Sequence, residues 1–274
     1  MMADSDYLSD PHARIEAFVK TEGDTSGREH YTYTYARVST FIEGHRDRHL
    51  FDRELLMARR YLKTDGGWIR LHRESAIYRD PVTREILVKW RNPYLERDVE
   101  VIDLHRDFNR KYLAADLGKS LNIECQVSGD DVYFRRQFFV SRRAEIQPSD
   151  YPLHGAATTY DLSENHDYFV KRSDLDNPAL TAAPSRGSTV SVANWLPWME
   201  MGTAPGLLIH HIRFTKLGDL SQIPNKDFVP ALQSRFADAL RAPETFAEED
   251  VTTTGLGWYK SIIDRKLGRN QRRR

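Results

Sequence analysis

The chain has 274 residues, 40 basic (Lys plus Arg) and 40 acidic, so its formal net charge is zero, and 40% of its residues are hydrophobic. That length suits one large β domain or two smaller ones, and the balanced charge excludes a long-range field drawing the chain to nucleic acid or an acidic membrane. Cys125 is the only cysteine, which excludes an intramolecular disulfide and fits a reducing compartment, so the protein is read as cytoplasmic.

The N-terminus, MMADSDYLSDPHARIEAF, carries acidic residues where a secretory signal needs a basic segment and an apolar run. No apolar stretch approaches the roughly 20 residues of a membrane helix. Asp10 is placed to cap a first helix running to about Thr21, with Pro11 in its first turn, Ile15, Phe18 and Val19 on one face, and Gly23 as its stop. REHYTYTYARVSTFIEG then alternates, with Tyr31, Tyr33, Tyr35 and Phe41 on one face and Thr32, Thr34, Ala36, Val38 and Ile42 on the other. Neither face is plainly polar, as suits a strand of a barrel or sandwich covered outside by a helix or loop.

Strand patterns follow at residues 50–62, 67–78, 85–90, 98–104 and 132–146, punctuated by TDGG, DPVT, NPYLERD and SGDD. That spacing predicts consecutive antiparallel hairpins rather than helix-linked parallel strands. Further strands are expected at 158–162, 167–171, 188–194 and 207–215, and a long loop, a lid over one end of the β structure, at residues 172–187. PNKDFVPALQSRFADALRAPETF turns helical, with Phe228, Leu232, Phe236 and Leu240 at four-residue intervals and Pro243 as its stop. GLGWYKSIIDRKLG reads as a second helix, and the basic end, Arg269 and Arg272 to Arg274, as a solubilising tail. With no internal repeat or linker, the expected architecture is mainly β (α+β): a single domain over 1–274, an antiparallel, calycin- or lipocalin-like β-barrel with N-terminal and C-terminal helices packed outside.

Two blocks, AIYRDPVTREILVKWRNPYLERDVEVIDLH and WLPWMEMGTAPGLLIHHIRFTKLGDL, resemble a domain-of-unknown-function family, numbered 1838, of bacteria and fungi. In that family the first block reads Y-x-D-P-x-T-G-E-x-L-x-x-W-x-N-P, followed by a strand with a His near its end. Tyr78, Asp80, Pro81, Thr83, Glu85, Leu87, Trp90, Asn92, Pro93 and His105 match, while Arg84 stands where Gly is usual. The blocks lie far apart, so the resemblance spans most of the chain; it implies membership and no mechanism.

Asp80-Pro81 and Asn92-Pro93 are turn initiators, and Trp90 between them reads first as a packing anchor. Asp103 and His105 share a strand face, and with a second His from His210 or His211 they could take a metal. Their spacing matches no iron or zinc signature, so no cofactor is predicted, and a strand-capping His105 is the plainer reading. His210 shares its face with Leu208, Ile212 and Phe214, a setting that would lower its pKa and leave a neutral base; a hydrogen-bonded core histidine is the alternative. Tyr31, Tyr33 and Tyr35 form a stripe able to line a pocket for a flat ligand, or ordinary core. NWLPWMEMG gathers Trp195, Trp198, Met199 and Met201 as a pocket wall or plug, with Glu200 beside tryptophan as a candidate acid or base.

The chain holds no P-loop, no G-x-G-x-x-G before a helix, no G-x-S-x-G elbow and no H-E-x-x-H, and Cys125 lacks a basic neighbourhood that would activate it. The expected function is a small-molecule tailoring enzyme acting on an apolar, aromatic or polyketide-like compound of secondary metabolism, by acid–base isomerisation, cyclisation or oxygenation. Its working groups would be His105, His210, Glu200 and Asp103, intruding into an apolar barrel interior, with Tyr31, Tyr33, Tyr35, Trp90, Trp195, Trp198 and Met201 against the substrate. The alternative is a noncatalytic, lipocalin-like carrier. The expected partner is a small apolar ligand, neither nucleic acid nor membrane, and a homo-oligomer is compatible with the sequence.

Overall fold

In the computed structural model, which describes residues 6–246 and 255–269, the Asp10 carboxylate accepts from the backbone N–H groups of His12 (3.1 Å) and Ala13 (3.2 Å). Those donors have no partner inside a helix, and helix α1, Pro11–Glu22, begins there. It stops at Gly23, where a Cβ would sit 2.3 Å from the Tyr61 ring.

The strands that follow are β1 (His30–Phe41), β2 (His49–Thr64), β3 (Gly67–Arg79), β4 (Lys89–Asn92), β5 (Arg97–Glu100) and β6 (Leu104–Asp107). Then come β7 (Arg110–Leu113), β8 (Ile123–Ser128), β9 (Asp131–Arg143), β10 (Thr159–Lys171), a short helix α2 (Arg172–Leu175), β11 (Ser185–Ala193) and β12 (Leu207–Leu217). Helices α3 (Phe228–Arg235) and α4 (Gly255–Lys266) complete the described chain. Ten strands form one antiparallel sheet in the order β6-β3-β2-β1-β12-β11-β10-β9-β8, with β7 also on β3, and β4 and β5 make a separate hairpin. Among the described residues no helix is long and apolar enough to cross a membrane.

Several boundaries differ from the pattern in the sequence, each for a local reason. The two strands expected at 158–162 and 167–171 are one strand, β10, because the polar residues between them still alternate and point inward. The Pro81 hairpin postpones β4 to Lys89: the Asp80 carboxylate accepts from Val82 and Thr83 N–H groups, both at 2.8 Å. Arg84 there has φ 67°, left-handed backbone that favours Gly, and its guanidinium meets the buried Asp52 carboxylate and Tyr35 Oη. β6 and β7 face β3 in one continuous register, interrupted at Phe108-Asn109, where the Asn109 side chain takes the His72 N–H at 2.9 Å. Residues 172–187 pack on α1 rather than standing free: Lys20 Nζ donates to the carbonyls of Leu175 (2.6 Å) and Asn177 (2.7 Å).

Side chains two apart share a face, so each long strand has an inner and an outer row. The inner rows of β2 and β3 meet those of β9 and β10 around one cavity, although these strands stand towards opposite ends of the sheet. Contact across the gap is made by side chains: Arg136 of β9 donates from Nη1 to Tyr112 Oη of β7 at 2.7 Å. Among the described residues no ladder joins β6 or β7 to β8 or β9.

The terminal helices are not all on the outside, contrary to expectation. α3 covers the outer face, where Phe228 and Leu232 pack on Tyr33, Leu56 and Ile77, and Trp258 of α4 reaches the outward His105 at 5.6 Å. α1 stoppers one end of the curled sheet, because Glu22 at its C-terminus reaches inner-row groups: it accepts from Tyr61, from Tyr112 and Tyr168 (both 3.1 Å), and from Arg70 Nη1 (3.2 Å). Lys216 of β12 ties the same helix end down, donating to the carbonyls of Lys20 (2.8 Å), Gly23 (2.5 Å) and Ala183 (2.8 Å). At the other end Phe51, Tyr78, Trp90 and Trp198 pack edge to face, and Tyr259 of α4 meets Tyr78 through a 2.7 Å hydroxyl–hydroxyl bond.

Burial alone would raise the Glu22 pKa, but Arg59, Arg70 and Arg136 outweigh it and hold the carboxyl well below its usual range. Glu22→Gln keeps the shape and removes the charge, leaving buried guanidinium groups uncompensated. The variant is expected to lose about 3–5 kcal/mol of unfolding free energy in urea titration; a loss below about 1 kcal/mol would show that the plug does not depend on the charge.

Candidate functional site

The cavity has a volume of about 360 Å³, at the small end of pockets that hold organic ligands. Its upper part is apolar, with Leu55, Leu104, Val140, Leu162, Trp195 and Leu256. The rest is not the apolar interior expected of a barrel carrier. Seven arginines line it against two glutamates, Glu74 and Glu164, with Glu22 a third carboxylate at the α1 end.

Three neighbouring strands build a polar ledge on one wall. His166 of β10 lies directly opposite Thr189 of β11, Glu164 opposite Ser191, and Ser191 opposite His210 of β12. Such cross-strand pairs bring side chains within bonding reach. The Thr189 hydroxyl lies 2.9 Å from His166 Nδ1, His166 Nε2 lies 3.2 Å from Glu164 Oε2, and Ser191 donates to Glu164 Oε1 at 3.1 Å. Burial opposes ionisation of Glu164, but the bond from His166, the Ser191 hydroxyl and Arg136 hold its pKa down to about 2. Burial pulls His166 below its usual value against Glu164, and Arg136 adds to the fall. The pair is therefore a carboxylate and a neutral imidazole at neutral pH. This assigns the ring proton to Nε2, donating to Glu164, and leaves Nδ1 to accept from Thr189. His210 beside them is buried, and its Nδ1 has no partner among the described residues.

Strands β2, β3, β6, β7 and β9 supply the cations. Arg106 pairs with Glu74 through two bonds, 2.9 and 2.8 Å. Arg70, Arg106 and Arg110 all stand over the Phe108 ring, at 5.5, 4.6 and 4.6 Å, and Arg110 and Arg136 stand over Phe138, at 5.3 and 5.7 Å. Arg142 pairs away from these, with Glu145 at 2.5 Å.

Of the residues singled out in the sequence, His210 and Trp195 line the cavity. Asp103 and His105 occupy the opposite face of β6, because Leu104 and Arg106 point inward. Asp103 accepts from Arg235 at 2.7 Å, and burial raises its pKa to about 6 despite that partner. His105 stacks on Phe236 at 4.4 Å and bridges Ser75 (2.9 Å) to Asp238 (3.2 Å). Tyr31, Tyr33 and Tyr35 also face outward: Tyr33 packs on Phe228 at 5.5 Å, while Thr32 and Thr34 take the cavity side. Glu200 follows the 3-10 turn Pro197–Met199 with φ 57° and pairs with Arg97 at 2.5 Å, outside the cavity lining. Trp90, Trp198 and Met201 belong to the core that closes the end beyond Trp195. Among the described residues, no group of three or more His, Cys, Asp and Glu is placed to hold a metal ion.

Glu164, His166 and Thr189 carried no signal in the sequence, since His166 sat in a stretch read as the break between two strands. The arginines were hidden differently, one or two to a strand over β2, β3, β6, β7 and β9.

Fold and site together define a mainly β protein built on a ten-stranded antiparallel sheet around an arginine-rich cavity. The model of a protein family of unknown function, DUF1838, matches residues 28–260. The chain belongs to that family, and both blocks that carried the resemblance lie within the matched range. A comparison with curated proteins found no match.

Burial pushes His210 down to about 3, with Arg53 adding to it, and pushes His30 to about 3, with Lys216 and Arg59 adding. An unfolded imidazole titrates near 6.5, so between about pH 6.5 and 3 the unfolded chain binds more protons and stability falls as the pH falls. Urea titrations from about pH 7.5 down to about 4 should record that loss, and His210→Gln should remove on the order of 3 kcal/mol of it. Parallel curves for wild type and variant would contradict a neutral, buried His210.

Proposed function

We propose that the protein is an enzyme that moves a proton on a small organic molecule held in the cavity, in an isomerisation or cyclisation. The observation that carries this reading is the hydrogen-bonded chain Thr189–His166–Glu164 opening onto a cavity of ligand size. A second chain of the same type, Ser75–His105–Asp238, shows what makes the difference: it lies on the outer face, with its imidazole stacked on Phe236, and takes no part in the cavity lining.

In the proposed step His166 Nδ1, freed from or acting through the Thr189 hydroxyl, takes a proton from the substrate. The imidazolium that forms is stabilised by the ionised Glu164 on its other nitrogen, as an orienting carboxylate does for a general base. Returning the proton to a different atom of the substrate completes an isomerisation with no net change in composition. His210, neutral, adds a polar group to the cavity wall beside it. The apolar upper wall with Trp195 suits the aromatic or polyketide-like part of a substrate.

The same reading takes the curled sheet as a calycin-like barrel, a container stoppered by α1 and α4. It also takes the chain as cytoplasmic, on the strength of a lone cysteine whose thiol burial pushes up to about 11, an inert rather than reactive group.

Incubation with a metabolite extract in heavy water tests the proposal, since a proton-transfer enzyme exchanges substrate hydrogen for deuterium. The wild type is expected to label one or a few compounds, and His166→Gln or Glu164→Gln to lower that labelling by about 100-fold or more while the ligand stays bound. Compounds retained by the protein yet returned unlabelled and unchanged would make it a carrier.

A further inference from the structure

We infer that Arg70, Arg110 and Arg136, gathered around Phe108 and Phe138, form a subsite for an oxyanion of the bound molecule, a carboxylate or a phosphate. This rests on the reading of the cavity as a small-molecule site and adds the class of molecule it takes.

The inference begins with charge. The chain as a whole is neutral, yet its cavity holds seven arginines against three carboxylates, counting Glu22. Four of the cations are accounted for, wholly or in part: Arg106 by Glu74, Arg142 by Glu145, and Arg59 and Arg70 by their shared partner Glu22; a fifth, Arg53, also has its Nε without an acceptor but lies away from the two phenylalanine rings. Arg110 has neither an ion pair nor a hydrogen bond among the described residues, and its Nε is buried. Arg136 spends Nη1 on Tyr112 and leaves Nε without an acceptor. Arg70 spends Nη1 on Glu22 and leaves both Nε and Nη2 without one, although the residue is only 1% exposed.

Buried donors without acceptors are costly, more so when charged. The stacking on Phe108 and Phe138 offsets part of that cost, because ring faces attract cations, but a ring takes no N–H bond in the plane of the guanidinium. Burial and the charges of Arg136 and Arg70 together push the Arg110 pKa down to about 10, the sign of like charges held close. An oxyanion in the cavity meets the largest of these demands, the unbalanced charge. Its lone pairs accept from the terminal Nη groups of Arg110 and Arg136 that have no partner among the described residues, and its charge offsets the excess beside the buried Nε groups, in the paired geometry that guanidinium offers carboxylates and phosphates.

The placement also fits the proposed chemistry. Arg136 of β9 lies opposite His166 in the sheet register, and Phe138 opposite Glu164. An acid group held by Arg110 and Arg136 would bring the carbon skeleton beside His166 and leave its apolar part towards Leu162, Val140 and Trp195.

The test is calorimetric binding of three probes of similar size to the full-length protein: benzoate, phenyl phosphate and the uncharged benzamide. The wild type is expected to bind at least one of the two anions about tenfold or more tightly than benzamide, and Arg110→Gln to abolish that preference. The tighter anion tells whether carboxylate or phosphate is the native group. Arg110→Gln orphans no carboxylate and relieves repulsion, so its ligand-free melting temperature should be no lower than that of the wild type. Should it nevertheless unfold, Arg110→Lys takes its place, keeping the charge but losing the planar fork, and is expected to reduce the preference severalfold. Equal binding of benzamide and the anions, binding of neither anion, or a preference undiminished in the variant would each overturn the inference. Binding is read without turnover. An anion preference lost in Arg110→Gln beside failed deuterium labelling would therefore keep the subsite and discard the proton-transfer reading, and the converse result would do the opposite.

Discussion

A carboxylate removed from water must be surrounded by donors and cations or give up its charge, and Glu22 is such a carboxylate. It ends α1, it is wholly buried, and three tyrosines and Arg70 point at its two oxygens. Those partners come from β2, β3, β7 and β10, strands spread across the sheet order. One side chain therefore fixes where the helix enters and draws towards each other parts of the sheet that no ladder joins. The arginines it holds stand in the floor of the cavity, so the same interaction that stoppers the sheet also arranges its charge.

From that floor the interior divides by chemistry. Arginines and aromatic rings occupy one region, the Glu164–His166–Thr189 ledge a second, and aliphatic side chains with Trp195 a third. The zero net charge of the chain conceals this division, because the compensating acidic side chains lie elsewhere on the molecule. A neutral protein can thus carry a strongly cationic interior while presenting no long-range field, with its selectivity expressed only to molecules that enter. The outer face shows how little a side-chain motif says away from a cavity: His105 has the partners of a catalytic imidazole and serves to hold the α3 region on β6 and β3.

The hairpins were legible in the sequence because their turns carry explicit chemistry. Asp80-Pro81, Asn92-Pro93 and the Ser128–Asp131 turn act locally, and the strands between them alternate. Asp10 as the cap of α1 and Gly23 as its end were legible for the same reason. The interior was not, because alternation says which residues share a face and not which face is inside. In β1 the bulky tyrosines were the natural candidates for a pocket, yet they pack under α3 and leave Thr32 and Thr34 inside. In β10 the polar run Ser163 to His166 looked like a break between two strands, since a strand with Glu and His on its inner face makes sense only once Arg136 and Thr189 stand beside it. Sites assembled from one or two residues on each of several strands leave no motif to read.

Within the sheet, Arg70, Arg110 and Arg136 keep guanidinium donors without acceptors, and on the proposed reading they attract an anion into the cavity. Anomalous diffraction from a crystal soaked in bromide tests closure and charge in a single measurement. The account predicts a bromide peak inside the wall, among the side chains of Arg70, Arg110 and Arg136. Bromide confined to the outer surface, with none beside those three arginines, would contradict it.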